Sequence, residues 1–140
     1  MVRPARAESL PTPLEQIIDE LKKQLASAVT NTEQWSRQTD LCVAALELVD
    51  QRSQPALWAA LQGALGSILV KDPKGSRADN IEKAIKANEQ ALTVYTREAM
   101  PAQWAMATTN LAATLQDRIR GERGENLERA IALGEQVLTV

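Results

Sequence analysis

Chemistry that transforms a substrate needs a nucleophile, a tuned acid or base, or a metal-ligand set, and this chain offers little of each. It has no histidine, which removes Ser–His and Cys–His nucleophile pairs and imidazole metal ligands. Its single cysteine, Cys42, lies in the apolar stretch DLCVAALELV. A lone thiol in such a setting reads as a buried, inert core residue rather than a redox or metal group. The carboxylates Asp19, Glu20, Glu82 and Glu89 are expected on solvated helix faces, without the burial or like-charged neighbour that tunes a catalytic acid. There is no P-loop and no G-x-G-x-x-G behind a strand. These features predict a chain that is not an enzyme, with no cofactor and no metal site. The remaining candidates are groups that pair with a partner. Among them are the loop cations Lys71, Lys74, Arg77, Arg118, Arg120 and Arg123. Asp72, Asp117 and Glu122 dilute that strip, so a solvated rim is the expectation and an acidic or phosphorylated partner the alternative.

The elements that position these groups are helical. Ala and Leu dominate the 140 residues and Phe is absent, a composition that suits helices packed at close range. Sixteen basic against eighteen acidic residues leave a net charge of −2. That balance argues against nucleic acid or an anionic membrane as partner. One cysteine permits no internal disulfide, and no stretch has the length of a signal peptide's apolar region or a membrane span. The expectation is a cytoplasmic protein. Residues 1–10, with Pro4 and no apolar run, read as a flexible arm.

The chain repeats itself. PALWA at residues 55–59 returns as PAQWA at 101–105, and residues 55–94 lie over 101–140 without a gap, an offset of 46. Trp58/Trp104, Leu65/Leu111, Gly75/Gly121, Arg77/Arg123, Asn80/Asn126, Glu82/Glu128, Ala84/Ala130 and Ile85/Ile131 are among the identical pairs. Each unit reads as two helices, A then B. Helix A runs from about Pro55 to Val70, and again from about Pro101 to Ile119, with proline at a helix start where its missing N–H is harmless. Leu57, Trp58, Leu61, Leu65, Ile68 and Leu69 make one apolar stripe. KDPKGS and RGERGE break the pattern. Helix B opens near Ser76, where Ser76 and Asp79 form a capping signal. Its stripe is Ile81, Ala84, Ile85, Ala91, Leu92 and Tyr95, with Asn88 interrupting. A weaker copy precedes these: Leu14, Ile17, Leu21 and Leu25 match helix A, and Ala45, Leu46 and Leu48 match helix B, with a shorter loop near Ser27 to Thr32. The domain reading is a flexible arm over 1–10, a degenerate capping hairpin over 11–54, and repeats over 55–100 and 101–140. The fold class is all-α: three helical hairpins, six helices, stacked as an α-solenoid. Trp58 and Trp104 are expected to wedge against B helices.

On these residues the unit resembles the tetratricopeptide repeat (TPR). Leu65-Gly66 and Leu111-Ala112 match its Leu-small pair on helix A. Leu69 and Leu115 fill the large position that follows, and Ala84, Ala130 and Ala91 match its helix-B alanines. The repeat here is 46 residues rather than the usual length of about 34, with the excess expected half in the A–B loop and half in a longer helix B. Asn88 and Gly134 stand where an aromatic is usual. The phrases G-x-R-x₂-N-[IL]-E-x-A-I and A-L-T-V-Y-T-R-E-A-M-P are similar to the long repeats of bacterial, especially cyanobacterial, multi-repeat proteins, some of which carry a caspase-like CHAT domain. Kinesin light chain has similarly lengthened repeats. Helix B of the last unit reaches Val140, whereas its counterpart runs on to Met100, so a fragment of a longer array is expected.

The resemblance implies a concave groove lined by A helices and a partner protein or peptide segment within it. Carried over by position, the groove residues are Ala60, Gly63, Ala64, Ser67 and Val70 from the middle unit, and Met106, Thr109, Asn110, Ala113 and Gln116 from the last. Asn110 occupies the place where related repeats hold an amide against a bound peptide's backbone, which it suits because an amide donates and accepts at once. Ala64 replaces the second such Asn, and no groove position is Lys or Arg, so a carboxylate clamp is not expected. Gly63 lies off the Leu-small pair and leaves space for a ligand backbone. The functional reading is a non-catalytic protein–protein interaction scaffold. The alternatives are a homo-oligomer formed through the exposed terminal helix, a spacer, or a regulatory repeat segment of a larger CHAT-type protease.

Overall fold

The computed structural model describes residues 10–118 and 123–139. Among them the chain forms six helices and no strand: α1 (Pro13–Ala26), α2 (Glu33–Leu48), α3 (Pro55–Leu69), α4 (Arg77–Ala91), α5 (Pro101–Gln116) and α6 (Arg123–Leu138). The expected arm falls, but for Leu10, outside the described residues, as do Arg120, Gly121, Glu122 and Val140. Each helix packs on its neighbours in sequence, and α3 also touches α5. No helix in the described residues is long and apolar enough to cross a membrane.

Local chemistry sets the helix ends. Thr12 accepts a hydrogen bond from the Glu15 N–H at 3.1 Å, with Pro13 opening α1. Pro55 and Pro101 open α3 and α5 in the same manner. Ser76 caps α4 by accepting from the Asp79 N–H at 3.3 Å, a contact worth about 1 kcal/mol. The phrase G-x-R-x₂-N closes the loop before it. Gly75 takes φ +83°, the left-handed region open to glycine at little cost. Arg77 donates to the Val70 carbonyl at 3.0 Å. The Asn80 amide donates to the carbonyls of Asp72 (3.2 Å) and Lys74 (2.9 Å). Helix α5 ends before Ile119, because Asp117 and Arg118 turn back onto Thr114 and Leu115 and tighten its last turn.

Helix B is not lengthened. α4 stops at Ala91, and Leu92–Met100 runs through turns. β-branched Thr93 and Val94 are poor helix formers, and the Thr93 hydroxyl bonds the Gln90 carbonyl at 2.6 Å. Thr96 then caps the next turn by accepting from the Ala99 N–H at 3.1 Å. The connection drops Tyr95 into a cluster with Trp58, Ala59, Ala91 and Ala107. The residues after α4 therefore build core between helices instead of extending one.

Two further clusters complete the core. One joins Leu21, Cys42, Ala45, Leu61 and Ile68 across α1, α2 and α3. The other joins Ile81, Ile85, Leu111, Ala112, Leu115 and Ala130 across α4, α5 and α6. Cys42 is fully buried, and desolvation pushes its thiol up to about 12, consistent with an inert core residue. Trp58 is core, whereas Trp104 is half-buried under the Arg97 guanidinium, 5.5 Å from its ring. Trp35 is likewise half-buried, with the Lys71 ammonium 5.2 Å above it. Asn88 does not interrupt the helix-B face. It is fully buried, and neither amide atom has a hydrogen-bond partner in the protein.

Polar clamps tie successive units. The Asp72 carboxylate accepts from Ser36 (2.7 Å) and Thr39 (2.8 Å). At the corresponding place one unit later, the Arg118 guanidinium grips Glu82 with two bonds of 2.8 and 3.2 Å and reaches Asn126 at 3.2 Å. Arg129 pairs with Glu89 at 2.7 Å. Glu82 and Glu89, expected on solvated faces, thus link helices.

Two outcomes follow for stability. A methyl at Gly66 would lie 2.8 Å from the Asn88 Oδ1, so Gly66→Ala is expected to lower the unfolding free energy by about 1–3 kcal/mol. Asn88→Ala removes both the clash and an unpaired buried amide, and the double variant should regain most of the loss in urea denaturation. Partial burial raises the Asp72 pKa, but hydrogen bonds from Ser36, the Lys74 N–H and Thr39 together hold it below its ordinary value. The unfolded chain then takes up that proton first, so the contribution is present above about pH 4 and lost as pH falls through the folded value. Asp72→Asn should flatten this acid limb of a stability–pH curve, and an unchanged limb would remove Asp72 as its source.

Candidate functional site

Helices α3 and α5 touch side by side, with the small residues of α3 facing α5. Between them is a cleft of about 340 Å³, lined by Ala60, Gly63, Ala64 and Ser67 of α3, by Gln103, Met106, Ala107 and Asn110 of α5, and by Tyr95 of the connecting turns. Six of the sequence-derived groove residues meet here: Ala60, Gly63, Ala64, Ser67, Met106 and Asn110. A Cβ built on Gly63 would meet nothing within 4 Å. The Asn110 amide nitrogen donates to the Ser67 hydroxyl at 3.3 Å, and that hydroxyl donates to the Gly63 carbonyl at 3.2 Å. Asn110 is half-buried, tied across the two units by this short polar chain.

The other sequence-derived positions go elsewhere. Thr109, Ala113 and Gln116 line a separate, wider cleft of about 520 Å³ between α5 and α6, with Ala112, Ile131, Gly134 and Leu138 among its walls. Thr109 turns its hydroxyl back onto the Ala105 carbonyl at 2.8 Å. Helix α5 turns Met106 and Asn110 toward α3 and Thr109, Ala113 and Gln116 toward α6, so Thr109 and Asn110 serve different surfaces. Val70 caps α3 and lines neither cleft.

Tyr95, Gln103 and Ala107 were not read from the sequence as site residues. Tyr95 was legible as a stripe residue of helix B, but its place in the cleft depends on the chain leaving the helix at Ala91. Burial raises its phenol pKa. No Lys, Arg, Asp or Glu lines the cleft. Its chemistry is apolar contact, with the Asn110 and Gln103 amides and the Ser67 and Tyr95 hydroxyls for hydrogen bonds. Among the described residues no group of three or more His, Cys, Asp or Glu is placed to hold a metal ion.

Three of the loop cations are engaged by neighbours. Arg118 is held by Glu82, Lys71 lies over Trp35, and Arg77 bonds the Val70 carbonyl and approaches Asp117 at 4.0 Å. Arg120 and the Arg123 side chain lie outside the described residues. No family model matches the chain, and no curated protein or solved structure matches it.

Proposed function

We propose that this chain is a non-catalytic protein-interaction module of the lengthened TPR type, a short α-solenoid that receives a partner's peptide segment between α3 and α5. The cleft lined by Ala60, Gly63 and Ala64 carries the reading. Small residues on the α3 wall let an extended backbone approach closely, and the Asn110–Ser67 pair offers a donor and an acceptor. A neutral lining selects an uncharged or apolar segment. Preformed walls keep the ordering cost of binding low. The test is a peptide-display screen run in parallel on the wild type, Gly63→Leu and Asn110→Ala. Enriched peptides should lose roughly tenfold or more in affinity when the cleft is filled or the amide removed, a change of about 1.4 kcal/mol. Peptides whose binding ignores both substitutions would remove the cleft assignment.

A second reading, self-association, is favoured by one comparison. Ile85 of α4 is 4% exposed beneath α5, whereas its counterpart Ile131 on α6 is 59% exposed and Leu138 is 85% exposed. Such a face gains by being covered. Light scattering over a concentration series should show wild-type mass rising toward a dimer and Ile131→Glu staying monomeric. A wild type that stays monomeric at the highest concentration ends this reading.

A further inference from the structure

The opposite side of α3 carries a second cleft, of about 330 Å³, between α2, α3 and α4. Its floor is Leu65 and Leu69, its α2 wall is Thr39 and Val43, and its α4 wall includes Lys83 and Lys86. It shares no residue with the α3/α5 cleft.

The chain contains the same junction one unit later, and there larger side chains and an ion pair occupy it. At the offset of 46, Thr39 corresponds to Ile85, Val43 to Glu89, Lys83 to Arg129 and Ala87 to Leu133. Burial confirms the register, since Gln38, Cys42 and Ala45 of α2 are buried as Ala84, Asn88 and Ala91 of α4 are. In the later junction Ile85 belongs to the core with Leu133 packed against it, and Glu89 pairs with Arg129 at 2.7 Å. In the earlier one each of these groups is smaller or missing. Threonine replaces isoleucine, alanine replaces leucine, and Val43, 42% exposed, stands where the carboxylate should be. The cation is retained as Lys83, and Lys86 adds another where the later unit has Ala132. Glu82 and Glu89, next to these lysines on α4, are engaged by Arg118 and Arg129. Asp40 and Glu47 flank Val43 on α2, yet among the described residues neither lysine forms an ion pair.

We infer that this cleft is a second binding site, taking a helical segment of a partner protein that presents a branched aliphatic residue and a glutamate four positions later. That segment supplies in trans what Ile85 and Glu89 supply within the chain. The aliphatic group rests on Leu65 and Leu69, and the carboxylate meets Lys83 and Lys86. Helix in groove is a common mode of recognition, and the charge match gives the site its sign. The inference does not depend on the α3/α5 cleft.

The probe is a synthetic helical peptide carrying one leucine and a glutamate four residues on, followed by fluorescence anisotropy against the full chain. Saturable binding should weaken roughly tenfold or more with a Glu→Gln peptide, with Lys83→Ala plus Lys86→Ala, and with Val43→Glu, which places the acid within the chain. Asn110→Ala, on the other side of α3, should leave it unchanged. Exposed lysines contribute nothing to the core, and thermal melts of each variant check that the fold is kept. Absent binding, or binding indifferent to the lysine substitutions, overturns the proposal. So does lysine-dependent binding of decanoate without binding of the peptide, which would make the site one for small aliphatic acids.

Discussion

The middle hairpin closes on a missing side chain. With only hydrogen at Gly66, α4 approaches until the Asn88 amide sits where a methyl group would otherwise be. That approach decides what becomes of the rest of α3. One flank, through Ala60, Gly63, Ala64 and Ser67, is left facing α5; the other, through Gln62, Leu65 and Leu69, is left between α2 and α4. Both clefts are thus consequences of one close contact on a thin helix. An amide at the contact is costly, since an unpaired buried polar group forfeits about 1–3 kcal/mol. It has a geometric effect in return, because an amide is flat and fills a narrow gap that a branched aliphatic group would prop open.

Conserved geometry between the units does not require conserved chemistry. The place where Asp72 accepts hydrogen bonds from Ser36 and Thr39 is the place where Arg118 donates to Glu82. The loop residue has changed sign, from Asp72 to Arg118, and the carboxylate has moved to the helix as Glu82, while the link from one B helix to the loop after the next A helix persists. The second link was not preserved in this way: Glu89–Arg129 has no equivalent at Val43 and Lys83. The first two hairpins lack the second link yet still pack through the Leu21, Cys42, Leu61 and Ile68 cluster. A junction relieved of its structural role is free to accept a ligand.

Much of this was legible as a pattern at fixed spacing. The offset of 46 gave the register of α3 to α6, and the prolines and Ser76 gave three of the helix starts. The resemblance to the tetratricopeptide repeat, carried over by position, supplied six residues of the α3/α5 cleft. What stayed hidden depends on tertiary contacts. Tyr95 fits the helical period, and only its burial with Trp58 and Ala107 shows that the chain has left the helix by then. Glu82 and Glu89 look like ordinary surface acids until an arginine from the next unit reaches them. Asn88 looks like an interruption until Gly66 is seen opposite. The grouping of Thr109 with Asn110 failed for a simpler reason. Helix α5 shows one flank to α3, through Met106 and Asn110, and another to α6, through Thr109 and Ala113.

Gly63 separates structure from function most sharply. Glycine inside a helix costs about 1 kcal/mol relative to alanine. Gly66 repays that cost by letting α4 approach, but nothing lies within 4 Å of where a Cβ of Gly63 would be. Packing therefore gives no reason for the missing side chain, and the corresponding position in the next unit carries Thr109 without disturbing its helix. A residue that weakens its own helix, meets no neighbour and lines a cleft suits the proposed binding of a peptide segment there. An extended backbone is the object that most needs such clearance, since its own groups must come close to the wall before Asn110 and Ser67 can reach them.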